Sequence, residues 1–290
     1  MFGECHAHML MDGVSYKAAV ARHRTTPDEA FIRHVLHAYK QAGVTFIRDG
    51  GDHLGVSSLA AKIAPEYGID YRTPAFAIYK NGHYGAVVGK GFDTLGEYAT
   101  LVKEAKAQNA DFIKIMTSGI MDFDKAGQLT SPGLPALEVT EMVHIAHSEG
   151  LSVMVHVNGA ANVKIALEAS ADSIEHGNFM DDECLSLLTE THIIWVPTVA
   201  ITGNIIGSGR YNDTVLSALH QRQMQTIKKA LTLGAAVALG SDAGAYCVPH
   251  PRGIFDEYHY IKKACPNNIN PDPALTAAEH QIKTLFKPWL

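Results

Sequence analysis

Short apolar runs rich in β-branched residues recur along the chain at 4–10, 45–49, 71–79, 112–116, 152–157, 173–176, 193–198 and 236–242. Between them, apolar positions fall three and four residues apart, the spacing of a helix with one buried face. The first such segment predicts its own ends. Thr26 can cap it, Pro27 suits a first turn, and Asp28 and Glu29 complement the helix dipole. The pattern runs through Phe31, Val35, Ala38 and Tyr39 and stops at Gly43. Comparable helices are predicted over 55–67, 94–109, 137–149, 160–170, 181–191, 212–233 and 253–265. Eight strands alternating with helices predict an α/β fold, either a (β/α)8 TIM barrel or a doubly wound open sheet.

Composition bounds the setting. The 290 residues are 47% hydrophobic, and no low-complexity stretch or linker divides them. One domain over 1–290 is expected, close to the roughly 250 residues of a single barrel. The formal net charge of -6 argues against a basic surface for nucleic acid or anionic membrane. No uncharged apolar run reaches the roughly 18 residues of a membrane span. The charge says little about a small-molecule substrate, which is the expected partner. Cys5, Cys184, Cys247 and Cys265 form no CxxC pair and read as reduced thiols. The first residues, MFGECHAHMLMDG, lack the basic-then-apolar order of a secretory signal. These two observations predict a cytoplasmic protein.

The polar residues inside the predicted strands choose between the two architectures. Active sites of (β/α)8 enzymes lie at the C-terminal ends of the strands. His6 and His8 stand two apart in the first strand, so both imidazoles face the same way. Lys114 interrupts the apolar run FIKIM in the fourth strand. A lysine there must be paired, neutralised or modified, because a bare buried ammonium is costly. A neutral lysine can take up carbon dioxide as a carbamate, whose two oxygens could bridge two cations. His156 ends SVMVHV, His176 closes SIEHG, and Asp242 ends VALGSD on the eighth strand. A carboxylate there can bind a metal and accept a proton from water. Each residue alone has an ordinary reading as core histidine, snorkelling lysine or capping aspartate. In conjunction, they would have to meet by chance at one barrel mouth. Imidazole and carboxylate donors suit zinc or another first-row divalent ion.

The ordered pieces CHAHM, FIKIMTSG, VMVHVNG, DSIEHG and ALGSDAG resemble the amidohydrolase superfamily from about residue 3 to residue 265. IKIMTSG and SIEHG look most like the prolidase-type dipeptidase branch, to which imidazolonepropionase-like enzymes are related. The resemblance implies that His6, His8 and Asp242 hold one divalent ion and that His156 and His176 hold a second. It implies a carboxylated Lys114 bridging the two, a nucleophilic hydroxide shared by the ions, and Asp242 as the catalytic proton acceptor. Hydrolysis of an amide or peptide bond in a dipeptide, N-acyl amino acid or cyclic amide is the expected reaction. A one-metal deaminase, an imidazolonepropionase-like cyclic-amide hydrolase, and a lactone or ester hydrolase are the alternatives.

The sequence departs from that pattern at its ends. Members of the superfamily usually carry a β-sandwich built from both termini, and here HxH begins at residue 6. The sandwich is expected to be absent or vestigial. Apolar barrel edge left uncovered would favour a homo-oligomer. Loops after the strands offer His53, Tyr79, His83, Tyr84, Asn158, His250 and Arg252 as substrate-binding candidates. His220 joins them because it resembles a recurring histidine of the prolidase-like branch. Arg252 could pair with a substrate carboxylate through its planar fork.

Overall fold

The computed structural model describes residues 2–266 and 269–287. Strands and helices alternate in the order β1 (Glu4–Ala7), α1 (Tyr16–His23), α2 (Glu29–Gln41), β2 (Phe46–Asp49), α3 (Val56–Ile63), β3 (Asp70–Arg72) and β4 (Ala77–Lys80). They continue as β5 (Gly89–Phe92), α4 (Leu95–Ala107), β6 (Ile113–Met116), α5 (Ala136–Ser148), β7 (Val153–Val157), α6 (Ala160–Glu168) and β8 (Ser173–His176). Last come α7 (Asp182–Glu190), β9 (Ile194–Val196), α8 (Ala200–Ile205), α9 (Asp213–Leu233), α10 (Arg252–Ala264) and α11 (Asp272–Leu285).

All strand pairings between these strands are parallel, running β1-β2-β3 and β4-β6-β7-β8-β9. β3 and β4 are two halves of the predicted third strand. Pro74 and Ala75, the latter at φ +63°, break it between them. The eighth strand forms no long ladder, yet its backbone bonds both neighbours. Trp195 N–H donates to Ala236 O at 2.8 Å, and Ala238 N–H to Trp195 O at 2.9 Å. Cys5 N–H donates to Leu239 O at 3.0 Å, and Asp242 N–H to His6 O at 2.8 Å. These bonds close the sheet on itself, so the fold is a (β/α)8 barrel and not an open sheet.

Alternation along the strands sorts side chains into two cores. Ile47, Ile113, Ile115, Val153, Val155 and Ile174 pack outward against the helices in the larger core. Phe46, Phe112, Met154, Ile194, Val196 and Ala238 fill the barrel interior in the smaller one. Ala278, Ile282 and Phe286, from α11 and its cap, join that interior cluster. The C-terminal helix thus seals the opening of the barrel opposite the strands' C-terminal ends.

Several local expectations change. α2 is capped by Asp28, whose carboxylate accepts from Phe31 N at 3.1 Å, so Thr26 and Pro27 lie before the helix. α1, α8 and α11, and the strand β5 beside β4, were not expected from the apolar spacing. α1 and α8 are eight and six residues long, too short for a periodic signal to stand out. Among the described residues, every strand belongs to the barrel wall or to β5 beside it, and no helix is long and apolar enough to cross a membrane.

Phe286 is fully buried, with its ring 5.3 Å from that of Phe112. Phe286→Ala should cost about 3–5 kcal/mol of stability, because the plug cannot collapse onto the void. Urea unfolding would measure it, and a loss under about 1 kcal/mol would mean that α11 does not seal the barrel.

Candidate metal centre

His6, His8, Lys114, His156, His176 and Asp242 all line one cavity of about 630 Å³ at the C-terminal end of the strands. Each is placed by its strand. The register sets Met116 beside His156 and Val157 beside His176, which carries the ligand-type side chains around the wall in neighbouring steps. The rings of His156 and His176 are 4.6 Å apart, those of His6 and His176 5.1 Å, and those of His6 and His8 5.4 Å. His6 Nε2 and His8 Nε2 lie 3.7 and 3.4 Å from Asp242 Oδ1. Ligand atoms of His6, His8 and Asp242 fall within 4.8 Å of one another, a group able to hold an ion.

The donor atoms are turned away from every other partner. His6 Nε2, His156 Nε2, Lys114 Nζ and Asp242 Oδ1 are buried without a hydrogen bond. Native interiors rarely leave such groups unsatisfied, and several converging in one cavity mark a site for a cation. The opposite ring nitrogens are held. His6 Nδ1 lies 2.6 Å from Glu175 Oε2, and His176 Nδ1 lies 2.8 Å from Thr198 Oγ1. A carboxylate only accepts, so Glu175 places the proton on His6 Nδ1 and leaves Nε2 free as a donor to metal.

Burial sets the charge states. It holds His6 and His176 well below the usual imidazole range and brings His8 and His156 down to about 3, so the four rings are neutral. Burial likewise lowers the Lys114 amine to about 8, opposed by the Glu175 carboxylate. It raises the Asp242 carboxyl to about 7, opposed by Lys114. Neutral imidazoles, a weakened ammonium and an unpartnered carboxylate oxygen are a donor set that suits a divalent cation.

Backbone geometry aims these groups. His176, Thr198 and Asp242 stand at or just beyond the ends of three successive strands at φ +65°, +51° and +60°. A β-branched residue rarely adopts that conformation, and here it turns Thr198 Oγ1 onto His176. Gly50 matters through what it lacks. A Cβ there would stand 2.3 Å from the His8 ring.

The other predicted residues divide. Tyr84 lines the cavity with its ring 5.0 Å from that of His156. Asn158 lines it too, but its amide is committed to structure. Nδ2 donates to Gly119 O at 3.1 Å, and Oδ1 accepts from Asn178 N and Nδ2 at 3.1 and 2.8 Å. His53, Tyr79, His83, His220, His250 and Arg252 lie outside the cavity lining. His250 braces the end of β1 from behind, bonding Tyr39 Oη at 2.9 Å and the carbonyls of His8 and Met11. His220 sits behind Thr202, its Nδ1 3.1 Å from Oγ1. Tyr79 packs under Gly85, and His53 is exposed. The Arg252 side chain is 77% exposed and faces Asp256 on its own helix at 3.4 Å, so it is not placed to read a ligand in the cavity. The lining that sequence reasoning missed includes Met116, Ile120, Phe123, Asn178, Thr198, Ile201 and Arg210. Met116 and Thr198 carried a signal, as the last residues of the fourth and seventh apolar runs.

A model of the amidohydrolase family matches residues 5–277. The chain belongs to that family. Over 189 residues it is 26% identical to ochratoxinase of Aspergillus niger, covering 63% of this chain and 38% of that one. Over 127 residues it is 31% identical to an uncharacterized protein of Mycobacterium tuberculosis, covering 42% of this chain and 34% of that one. The matched stretch therefore spans well under half of these curated relatives. A solved Xaa-Pro dipeptidase with methionine in its active site superposes with a TM-score of 0.77 at 22% identity, over 98% of this chain and 74% of that one. The A. niger ochratoxinase structure superposes with a TM-score of 0.76 at 20% identity, over 94% of this chain and 68% of that one. These superpositions show the shared barrel fold.

Gly50→Ala should displace the His8 ring while leaving the barrel folded. The expected result is a loss of about tenfold or more in affinity for zinc, by competition with a chromogenic chelator, with native circular dichroism. Unchanged affinity would mean that His8 does not ligate from the position seen here.

Proposed function

We propose that this chain is a binuclear metal-dependent hydrolase of amide or peptide bonds. The observation that carries the reading is the convergence of unpartnered buried donors from His6, His156, Lys114 and Asp242 in one cavity. His6, His8 and Asp242 would hold one ion, and His156 and His176 the other, with Lys114 between them as its carbamate. Zinc fits this donor set. When bound, such ions supply a water-derived nucleophile at neutral pH and polarise the scissile carbonyl.

The chain's own residues do the rest. Asp242 Oδ1 faces the cavity and can take the proton of the attacking water, then pass it to the leaving nitrogen. Glu175 keeps the proton on His6 Nδ1 throughout. The apolar wall excludes bulk water from the reacting atoms and strengthens each electrostatic contact. A mononuclear deaminase or cyclic-amide hydrolase would need no anionic bridge. The unpartnered Nζ of Lys114 favours the two-ion arrangement over it. Ester and lactone hydrolysis would use the same groups, and substrate profiling separates them from amide hydrolysis.

Dialysis against a chelator should abolish amide hydrolysis, and added zinc with bicarbonate should restore it. Lys114→Met should lower bound metal from about two ions per chain to about one, read by elemental analysis. Asp242→Asn should lower kcat by about 10²–10⁴. Full activity after exhaustive chelation, or a Lys114→Met protein that retains both ions, would sink the binuclear reading.

A further inference from the structure

Beyond the metal centre, the cavity divides into an apolar body and a cationic mouth. Met116, Ile120, Phe123, Ile201 and Ile205 form much of the body. The apolar character continues outward. Val14, Tyr16, Tyr84 and Val87, which stay exposed, also line this cavity, so more than half of the large hydrophobics exposed among the described residues gather at one mouth. Such a patch continuous with a pocket marks where an apolar ligand lies.

The charges point to a second feature of that ligand. Apart from histidines, the charged residues in the wall are Lys17, Lys114, Arg210 and Asp242. Lys114 and Asp242 belong to the metal centre. Lys17 and Arg210 remain, two cations at the mouth of a chain whose net charge is -6. Arg210, exposed at the mouth, is flanked by two aromatic rings. Its guanidinium carbon lies 4.6 Å from the Tyr246 ring centroid and 5.2 Å from that of Tyr211. The Tyr211 ring lies 5.2 Å from that of Phe123, and Asn212 N donates to Asp124 Oδ1 at 3.1 Å. The loops after β9 and the eighth strand therefore flank one side chain, and the loop after β6 braces the Tyr211 segment. Among the described residues, no carboxylate forms an ion pair with it. Aromatic faces hold a guanidinium by its plane and leave its N–H edge open, and that edge matches a carboxylate.

We infer that the cavity takes an amide with a bulky apolar or aromatic body, and that Arg210 reads a carboxylate on it. The inference rests on the amide-hydrolase reading only for which bond is cut. Recognition can therefore be tested apart from turnover. The probe is dansyl-L-phenylalanine, a fluorescent sulfonamide, compared with its C-terminal carboxamide on the full metal-loaded chain. The carboxylate form should bind about tenfold more tightly than the carboxamide. Arg210→Met should abolish that difference while the carboxamide's affinity and the melting temperature stay unchanged. Lys17→Met should keep the difference. Equal binding of the two probes by the native chain, failure of both to bind, or discrimination that survives Arg210→Met would overturn the inference. Hydrolysis of N-benzoyl-L-phenylalanine is measured alongside. If the probes behave as expected but this amide is not cut, the reaction assignment fails while the recognition stands.

Discussion

A single buried column organises this barrel. Arg48 lies inside it, fully shielded from solvent, with its guanidinium carbon 4.3 Å from the centroid of the Phe286 plug below. Nη2 donates to Glu175 Oε1 at 2.8 Å, Nη1 to Ser173 Oγ at 2.9 Å and Nε to Cys5 O at 2.7 Å. Glu175 Oε2 reaches on to His6 Nδ1. Taking two charges out of water costs several kcal/mol for each ion, and attraction offsets this only when the remaining hydrogen-bonding capacity is met. Here the fork of the arginine is satisfied on three nitrogens, and both carboxylate oxygens have partners. The column thus joins the floor of the barrel to its chemical mouth, so the orientation of His6 depends on how the strands close around Arg48.

This explains why the interior is graded along the barrel axis. Apolar residues and α11 fill the floor, an ion pair occupies the middle, and neutral imidazoles with unpartnered nitrogens occupy the top. An ion pair in the middle would be wasteful as stabilisation alone, because a hydrophobic pair of similar volume often serves as well. Its value lies in direction. It aims a carboxylate at His6 from below, as the positive-φ residues His176, Thr198 and Asp242 aim side chains from the rim. Each of these rim conformations costs on the order of 1–3 kcal/mol. The structure holds them against that cost where ligand direction matters.

Much of this was legible in the sequence, for a physical reason. Polar residues inside apolar strands are rare because burying them is expensive, so His6, His8, Lys114, His156, His176 and Asp242 stood out against their surroundings. Eight short runs also exposed the alternation, although the break at Pro74 and the thin eighth strand leave no mark in the apolar spacing. Arg48 and Glu175 sat in the predicted strands and passed unnoticed. Their significance is a contact across the barrel, from β2 to β8, and no local pattern encodes it. The cavity wall was harder still. His220, His250 and Arg252 have the chemistry of binding residues, but helix packing turns them behind or away from the cavity. Arg210 sits in a loop and gains meaning only from Tyr211 beside it and Tyr246, which the loop after the eighth strand brings to it.

The same contrast explains how one cavity can serve two demands. The metal centre is built on strand ends, where register fixes each side chain to within a residue and neighbouring strands share the load. Its geometry can vary little without moving the barrel wall. The mouth is built on loops and on the start of α1, joined by the Phe123–Tyr211 and Asp124–Asn212 contacts. Those contacts can change without disturbing the Arg48–Glu175 column, which lies below the strand ends and shares no residue with them. The proposed reaction chemistry and the inferred ligand choice therefore rest on separate sets of interactions. A substitution at the mouth can alter what enters while leaving intact the donors that would act on it.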